Sequence, residues 1–168
     1  MTTRHHPRQI LVIGYGAIGT AFLPLLLERL PGSADRITIL DRVDRRRVLR
    51  PFLERGVRFE QITITKDRHR EQLQERLGRG DLLIDLASYI DTLALVQFCQ
   101  ERDVLLLNSS VERWYEDEVL TQRADQGLLY PRLWRISRWL SRHGRDGGPT
   151  AVIDHGANPG LVSHFVKQ

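Results

Sequence analysis

The run Gly14-Tyr15-Gly16-Ala17-Ile18-Gly19 decides more about this chain than any other feature. It follows an apolar stretch, Gln9–Ile13 (QILVI), and opens a stretch of helical apolar spacing, Ala17–Leu30, that stops at Pro31-Gly32. G-x-G-x-x-G carries weight only between a strand and a helix, and that is where it stands. Gly14 permits the tight turn, Gly16 lets backbone approach a pyrophosphate, and Gly19 lets the helix pack closely on the strand. Amides at the helix start, with the helix dipole behind them, favour an anion. Ala17 and Ile18 belong to that first turn. Pro24 should clash with the Thr20 carbonyl and kink the helix.

The pattern then alternates. Strands are expected at Arg36–Leu40, Val57–Thr65, Leu82–Leu86, Val104–Leu107 and Thr150–Asp154. Helices are expected at Asp44–Arg55, His69–Leu77, Asp91–Arg102 and Glu116–Gln122, with Pro131 as the first residue of another and a last one opening at Gly160 after Asn158-Pro159. Fully apolar strands alternating with helices imply a parallel sheet covered on both faces. The expected fold is α/β, a Rossmann-type doubly wound sheet of about six strands. Residues 1–158 read as the dinucleotide-binding domain. Residues 159–168 read as the start of a helix leading toward a substrate domain outside this chain.

Asp41 follows the second strand, 22 residues after Gly19, where an acid binds the adenosine ribose hydroxyls. Its carboxylate accepts two hydroxyl hydrogens and repels a 2′-phosphate, which favours NAD. Arg42 beside it is the residue type that accommodates a 2′-phosphate, so NADP stays open. Thr63 and Thr65, Ala87 and Ser88, and Asn108 and Ser109 follow the third, fourth and fifth strands and are expected to line the dinucleotide groove.

Composition removes other classes. The formal net charge is +4, and of 25 basic residues only Lys66 and Lys167 are lysines. The arginines are interleaved with acids. Their densest cluster, Arg42, Arg45, Arg46, Arg47 and Arg50, lacks interleaved aromatics and reads as a solvated helix face, so no nucleic acid is expected. The start, MTTRHHPRQ, has no apolar signal region, and no apolar run is long enough to span a membrane. A single cysteine, Cys99, allows no internal disulfide and sits in an apolar stretch as a small core residue. These features suit a cytoplasmic chain. No histidine spacing suggests a metal site.

Three segments resemble bacterial homospermidine synthases, enzymes of the saccharopine dehydrogenase-like group. Gly14–Leu27 (GYGAIGTAFLPLLL) is similar to their opening, Pro24 included. His155–Gln168 (HGANPGLVSHFVKQ) is similar to a later segment. Asn108–Trp114 (NSSVERW) is similar to a third motif, with Arg113 for its proline and Ser110 for its cysteine. The resemblance covers essentially the whole chain.

It implies a particular chemistry. NAD accepts a hydride from the amine-bearing carbon of putrescine, a second amine captures the imine, ammonia leaves, and the hydride returns to give homospermidine. It also implies a homodimer for the full-length enzyme, with this part alone binding NAD without turnover. A polyamine site needs carboxylates and often an aromatic face. Asp91 and Glu112 lie past the ends of the fourth and fifth strands, where ligands bind in such sheets. Asp91 reads equally as a helix-start acid complementing the dipole. Trp114 reads as a cation platform or a core anchor. The resemblance makes Asn158 a cofactor or substrate contact, although an N-cap explains it as well. His155 and His164 are candidates for proton transfer. Two other readings stay open: an NADP-linked saccharopine- or carboxynorspermidine-type dehydrogenase, and a non-enzymatic dinucleotide sensor.

Overall fold

Strands with apolar residues on both faces must be covered on both, and the chain supplies helices for each. The computed structural model describes residues 7–120 and 129–153. It contains β1 (Ile10–Ile13), α1 (Ala17–Arg29), β2 (Ile37–Asp41), α2 (Arg46–Leu53), β3 (Arg58–Gln61), α3 (His69–Gln74), β4 (Leu82–Asp85), α4 (Thr92–Arg102), β5 (Leu105–Asn108), α5 (Tyr115–Leu120), α6 (Leu129–His143) and β6 (Ala151–Val152). A 3-10 turn, Ala34–Arg36, precedes β2.

The six strands form one sheet in the order β3-β2-β1-β4-β5-β6, and every neighbouring pair is parallel. This is the expected Rossmann-type doubly wound order. The order reverses between β1 and β4, and that reversal opens a crevice at the strands' carboxyl ends.

Side-chain alternation divides the core. Ile10 and Val12 of β1, Ile37 and Ile39 of β2 and Ile84 of β4 meet Leu23 and Leu27 of α1 and Leu49 of α2. Leu11, Ile13, Leu40, Leu83 and Leu106 point the other way, onto Leu73 of α3, Leu95, Val96, Phe98 and Cys99 of α4, and Ile136 of α6. A period of two within mainly apolar strands therefore fills two separate layers.

Several elements differ from the sequence expectation. β3 ends at Gln61, not Thr65. The Ile62 amide still donates to the Asp41 carbonyl (2.9 Å), but β2 stops there, so residues 62–65 have no neighbouring strand. The buried Gln72 side chain holds them instead, donating to the Thr63 carbonyl (2.9 Å) and accepting from the Thr65 amide (3.3 Å). α2 begins at Arg46 because the Asp44 carboxylate accepts from the Arg46 amide (2.9 Å). α1 continues across Pro24, whose exposed ring and the exposed Thr20 leave the unpaired carbonyl to water. α6 starts two residues before Pro131, which stays in the first turn where its missing N–H has no partner to lose. β6 is only Ala151–Val152. The expected helix from Gly160, and the boundary between residues 158 and 159, lie outside the described residues.

Leu83 is fully buried in the central strand β4, while Leu25 on α1 is 57% exposed. Leu83→Ala should cost about 2–5 kcal/mol in urea unfolding. Leu25→Ala should stay within about 0.5 kcal/mol.

Candidate dinucleotide and amine site

The glycine turn sits in the crevice, and its glycines are needed for different reasons. Gly14 has φ +90°, and a Cβ there would lie 2.9 Å from the Ala87 amide nitrogen and the Leu86 carbonyl carbon. A Cβ on Gly19 would lie 2.9 Å from the Gly14 oxygen. A Cβ on Gly16 would meet nothing within 4 Å and would stand in the open crevice. Gly16 caps α1, no side chain caps it in return, and the first turn holds no acid. Ala17 and Ile18 are exposed there. The space over Gly16 and the first-turn amides together suit an anion.

Asp41 reaches the same place from β2. One oxygen accepts from the Tyr15 amide (2.7 Å) and the other from the Val43 amide (2.8 Å). Arg45 Nε stands 3.5 Å away. The turn itself thus aims this acid, a role for Tyr15, Val43 and Arg45 that the sequence does not announce. The crevice holds about 550 Å³. Its walls include Gly14, Gly16, Asp41, Arg42, Thr63, Thr65, Ala87 and Ser88. Across its mouth, Lys66 after β3 pairs with Asp117 of α5 (2.6 Å), and Tyr89 meets Tyr115 edge to face at 5.3 Å. Tyr89 has φ +65°, a costly backbone for a tyrosine. Trp114 also lines the crevice but is only 5% exposed, with its ring 5.2 Å from that of His69. It is a core anchor at the crevice wall.

Asn108 and Ser109 do not line the crevice; they tie β5 to β4. Asn108 is fully buried and its amide donates to Asp85 Oδ2 (2.9 Å). The Ser109 amide donates to the Asp85 carbonyl (3.2 Å). Asp85 itself is 1% exposed, and its other oxygen accepts from the Ala87 amide (3.1 Å). Burial pushes this carboxyl up to about 7, against its two hydrogen bonds and with the Glu112 charge adding to the rise. The sequence reading missed Asp85; its one signal is an acid closing the otherwise apolar run LLID. Cys99 is buried as expected, and burial, then the Asp85 charge, pushes its thiol up to about 12.

Asp91 is also buried, and both its oxygens are engaged. One caps α4 by accepting from the Ala94 amide (3.0 Å), and the other pairs with Arg135 of α6. Its helix-start role is the one the geometry displays. Glu112 is clamped beside it. Its amide donates to Thr92 Oγ1 (2.9 Å), its carbonyl accepts from the Thr92 amide (3.2 Å), and Arg132 holds the preceding Val111 carbonyl (3.0 Å). Glu112 is half-buried. Asn158, His155 and His164 lie outside the described residues. Among the described residues no group of histidines, cysteines and acids is placed to hold a metal, and no helix is long and apolar enough to cross a membrane.

Residues 10–127 match the family described as the saccharopine dehydrogenase NADP binding domain. The chain belongs to this family. It is also 33% identical over 165 residues to a homospermidine synthase of Blastochloris viridis, and 32% identical over 165 residues to one of Mesorhizobium japonicum. Each alignment covers 95% of this chain and 33% of the relative, so the chain spans about a third of the length of these enzymes. A crystal structure of the Legionella pneumophila homospermidine synthase in complex with NAD superposes with a TM-score of 0.79 at 30% identity, over 96% of this chain and 32% of that one. In this family member, β1 to β5 and their crevice all fall within the matched residues.

A carboxyl raised in the folded state binds its proton more tightly there than in the unfolded chain. The stability Asp85 contributes is full below about pH 4 and lost as pH rises through about 7. The melting temperature should therefore fall between pH 5 and pH 8, and Asp85→Asn should flatten that fall. Equal slopes in the two proteins would refute the assignment.

Proposed function

We propose that this chain is the NAD-binding domain of a homospermidine synthase-like enzyme. The observation that carries the proposal is the crevice itself, where an open glycine turn and an aimed carboxylate meet in a chain similar over nearly its whole length to such enzymes. The α1 first-turn amides at Gly16–Gly19 would hold the pyrophosphate, and Asp41 would accept the adenosine ribose hydroxyls. Thr63, Ala87 and Ser88 would flank the groove, with Arg42 at its rim and Asn108 and Ser109 bracing the wall behind it. Bound there, NAD supplies a hydride acceptor that becomes the donor once the substrate is an imine.

The substrate would be putrescine. Oxidation at an amine-bearing carbon gives an imine, a second amine adds and ammonia leaves, and reduction returns the hydride to give homospermidine. Glu112 would receive an ammonium group, because its backbone is fixed by Thr92 and its carboxylate lies past the end of β5. Asn158 is assigned to the same centre by its place in the matching segment HGANPG. Asp91 would shape this corner through Arg135. The full-length protein would be a homodimer acting in the cytoplasm.

The second reading, an NADP-linked dehydrogenase, draws on the family description and on Arg42 at the crevice. Asp41 opposes it, since a fixed carboxylate repels a 2′-phosphate. Calorimetric titration of this chain should show NAD binding more tightly than NADP. Asp41→Asn should weaken NAD roughly ten- to a hundredfold and narrow the gap. NADP binding more tightly to the unaltered chain would favour the second reading. In the full-length gene product, Glu112→Gln should lower kcat/KM for putrescine about a hundredfold while NAD affinity holds, read by homospermidine and ammonia formation.

A further inference from the structure

The basic cluster Arg42, Arg45, Arg46, Arg47 and Arg50 is expected to be a solvated face, and four of its members are. Arg46 pairs with Asp44 (2.9 Å) and lies over the Phe59 ring (5.3 Å), and Arg50 pairs with Glu54 (3.1 Å). Arg42 and Arg47 are exposed. Arg45 differs. It is half-buried, it lines the crevice, and its Nε stands 3.5 Å from Asp41 Oδ2. That Nε is shut off from solvent and makes no hydrogen bond. Asp44 does not compete for it, because its two oxygens go to the amide and the guanidinium of Arg46.

This spacing has an electrostatic consequence. Each Asp41 oxygen already accepts one backbone amide, from Tyr15 or from Val43. A carboxylate offers about four acceptor sites, so sites for two hydroxyl hydrogens remain. Arg45 lends its charge to Asp41 without taking up one of them. The Asp41–Arg45 pair is therefore neutral as a unit and still able to accept. Arg42 lines the crevice as well, so the end of β2 presents one acid and two cations there. A lone carboxylate at this place would repel a second anion. This one is offset by a cation that touches it and that, half-buried, is screened less than exposed Arg42.

We propose that Arg45 sets the selectivity of this crevice between NAD and its 2′-phosphorylated form. The ligand class it serves is an adenine dinucleotide with a phosphate monoester on the adenosine ribose. That phosphate meets a neutral pair in place of a lone carboxylate, and NADP is admitted as the weaker ligand. Asp41 serves NAD through its remaining acceptor sites, and Arg45 lowers the penalty on NADP. The proposal deepens the dinucleotide reading of the crevice and rests on it.

The test is calorimetric titration of NAD and of NADP, at one ionic strength, into the unaltered chain and three variants. Arg45→Met keeps a long side chain and removes the charge. It should weaken NADP about tenfold or more and NAD about threefold at most, because the Tyr15 and Val43 amides still hold Asp41. Arg45→Lys should keep NADP within about threefold of the unaltered chain, since the effect is one of charge. Arg42→Met should weaken NADP less than Arg45→Met does. Equal losses of the two dinucleotides in Arg45→Met would make Arg45 a support for Asp41 alone and overturn the proposal. Arg45→Lys binding NADP as weakly as Arg45→Met, or a larger NADP loss in Arg42→Met, would overturn it as well. An unaltered chain that binds neither dinucleotide overturns the reading of the crevice itself, whereas NAD binding with no effect of Arg45→Met on NADP overturns only the role of Arg45.

Discussion

The close approach of Gly14 to the end of β4 is the contact on which the site depends. The Gly14 amide donates to the Leu40 carbonyl (2.8 Å), and the Leu86 amide donates to the Ile13 carbonyl (2.8 Å). These bonds gather the ends of β1, β2 and β4 at the point where strand order reverses. A side chain on Gly14 would need both a strained φ and the space of the Leu86–Ala87 peptide. With hydrogen there, the backbone turns tightly enough for the Tyr15 amide to reach Asp41. The glycine turn and the acid at the end of β2 are thus set by one piece of backbone.

The sheet separates two kinds of chemistry along its carboxyl edge. On the β1–β2 side, the polar groups are fixed by backbone amides and open to the crevice, which suits a cofactor with spread-out hydrogen-bonding groups. On the β4–β5 side, the acids lie deeper. Asp85 and Asn108 sit opposite each other in register, and the Thr92 hydroxyl stitches α4 to the loop that carries Glu112. α6 reinforces both sides of this joint, with Arg132 on the Val111 carbonyl of that loop and Arg135 on Asp91 at the start of α4. A corner this heavily braced holds the backbone of Val111 and Glu112 in one place.

The strand–glycine–helix pattern made the Rossmann-type fold legible, because each of those signals is local. Alternation of apolar runs with helical spacing placed all six strands, and the acid after the second run placed Asp41. What failed was decided by neighbours. Residues 62–65 alternate like a strand but outlast the strand beside them, so Gln72 takes the place of a ladder. Asn108 looks like a groove residue because it follows β5; its side chain turns into the core because its register partner is Asp85. Asp91 reads from sequence as either a cap or a ligand, and only the position of Arg135, 44 residues away, shows how both its oxygens are used. Asp85 escaped notice because a buried acid has no periodicity of its own.

Asp85 and Asp91 show how a partner's charge shapes what a buried acid can do. Both are nearly inaccessible, one ends β4 and the other closes the short loop after it, and both accept a backbone amide hydrogen bond. Asp91 meets a guanidinium, a permanent cation that makes the charged form self-consistent and fastens α4 to α6. Asp85 meets a carboxamide, which stabilises either form and commits to neither. Replacing Asn108 by an arginine would supply the missing charge but would also fix the acid as an anion. The neutral partner leaves the Asp85 carboxyl to the effect of its burial, which favours the protonated form.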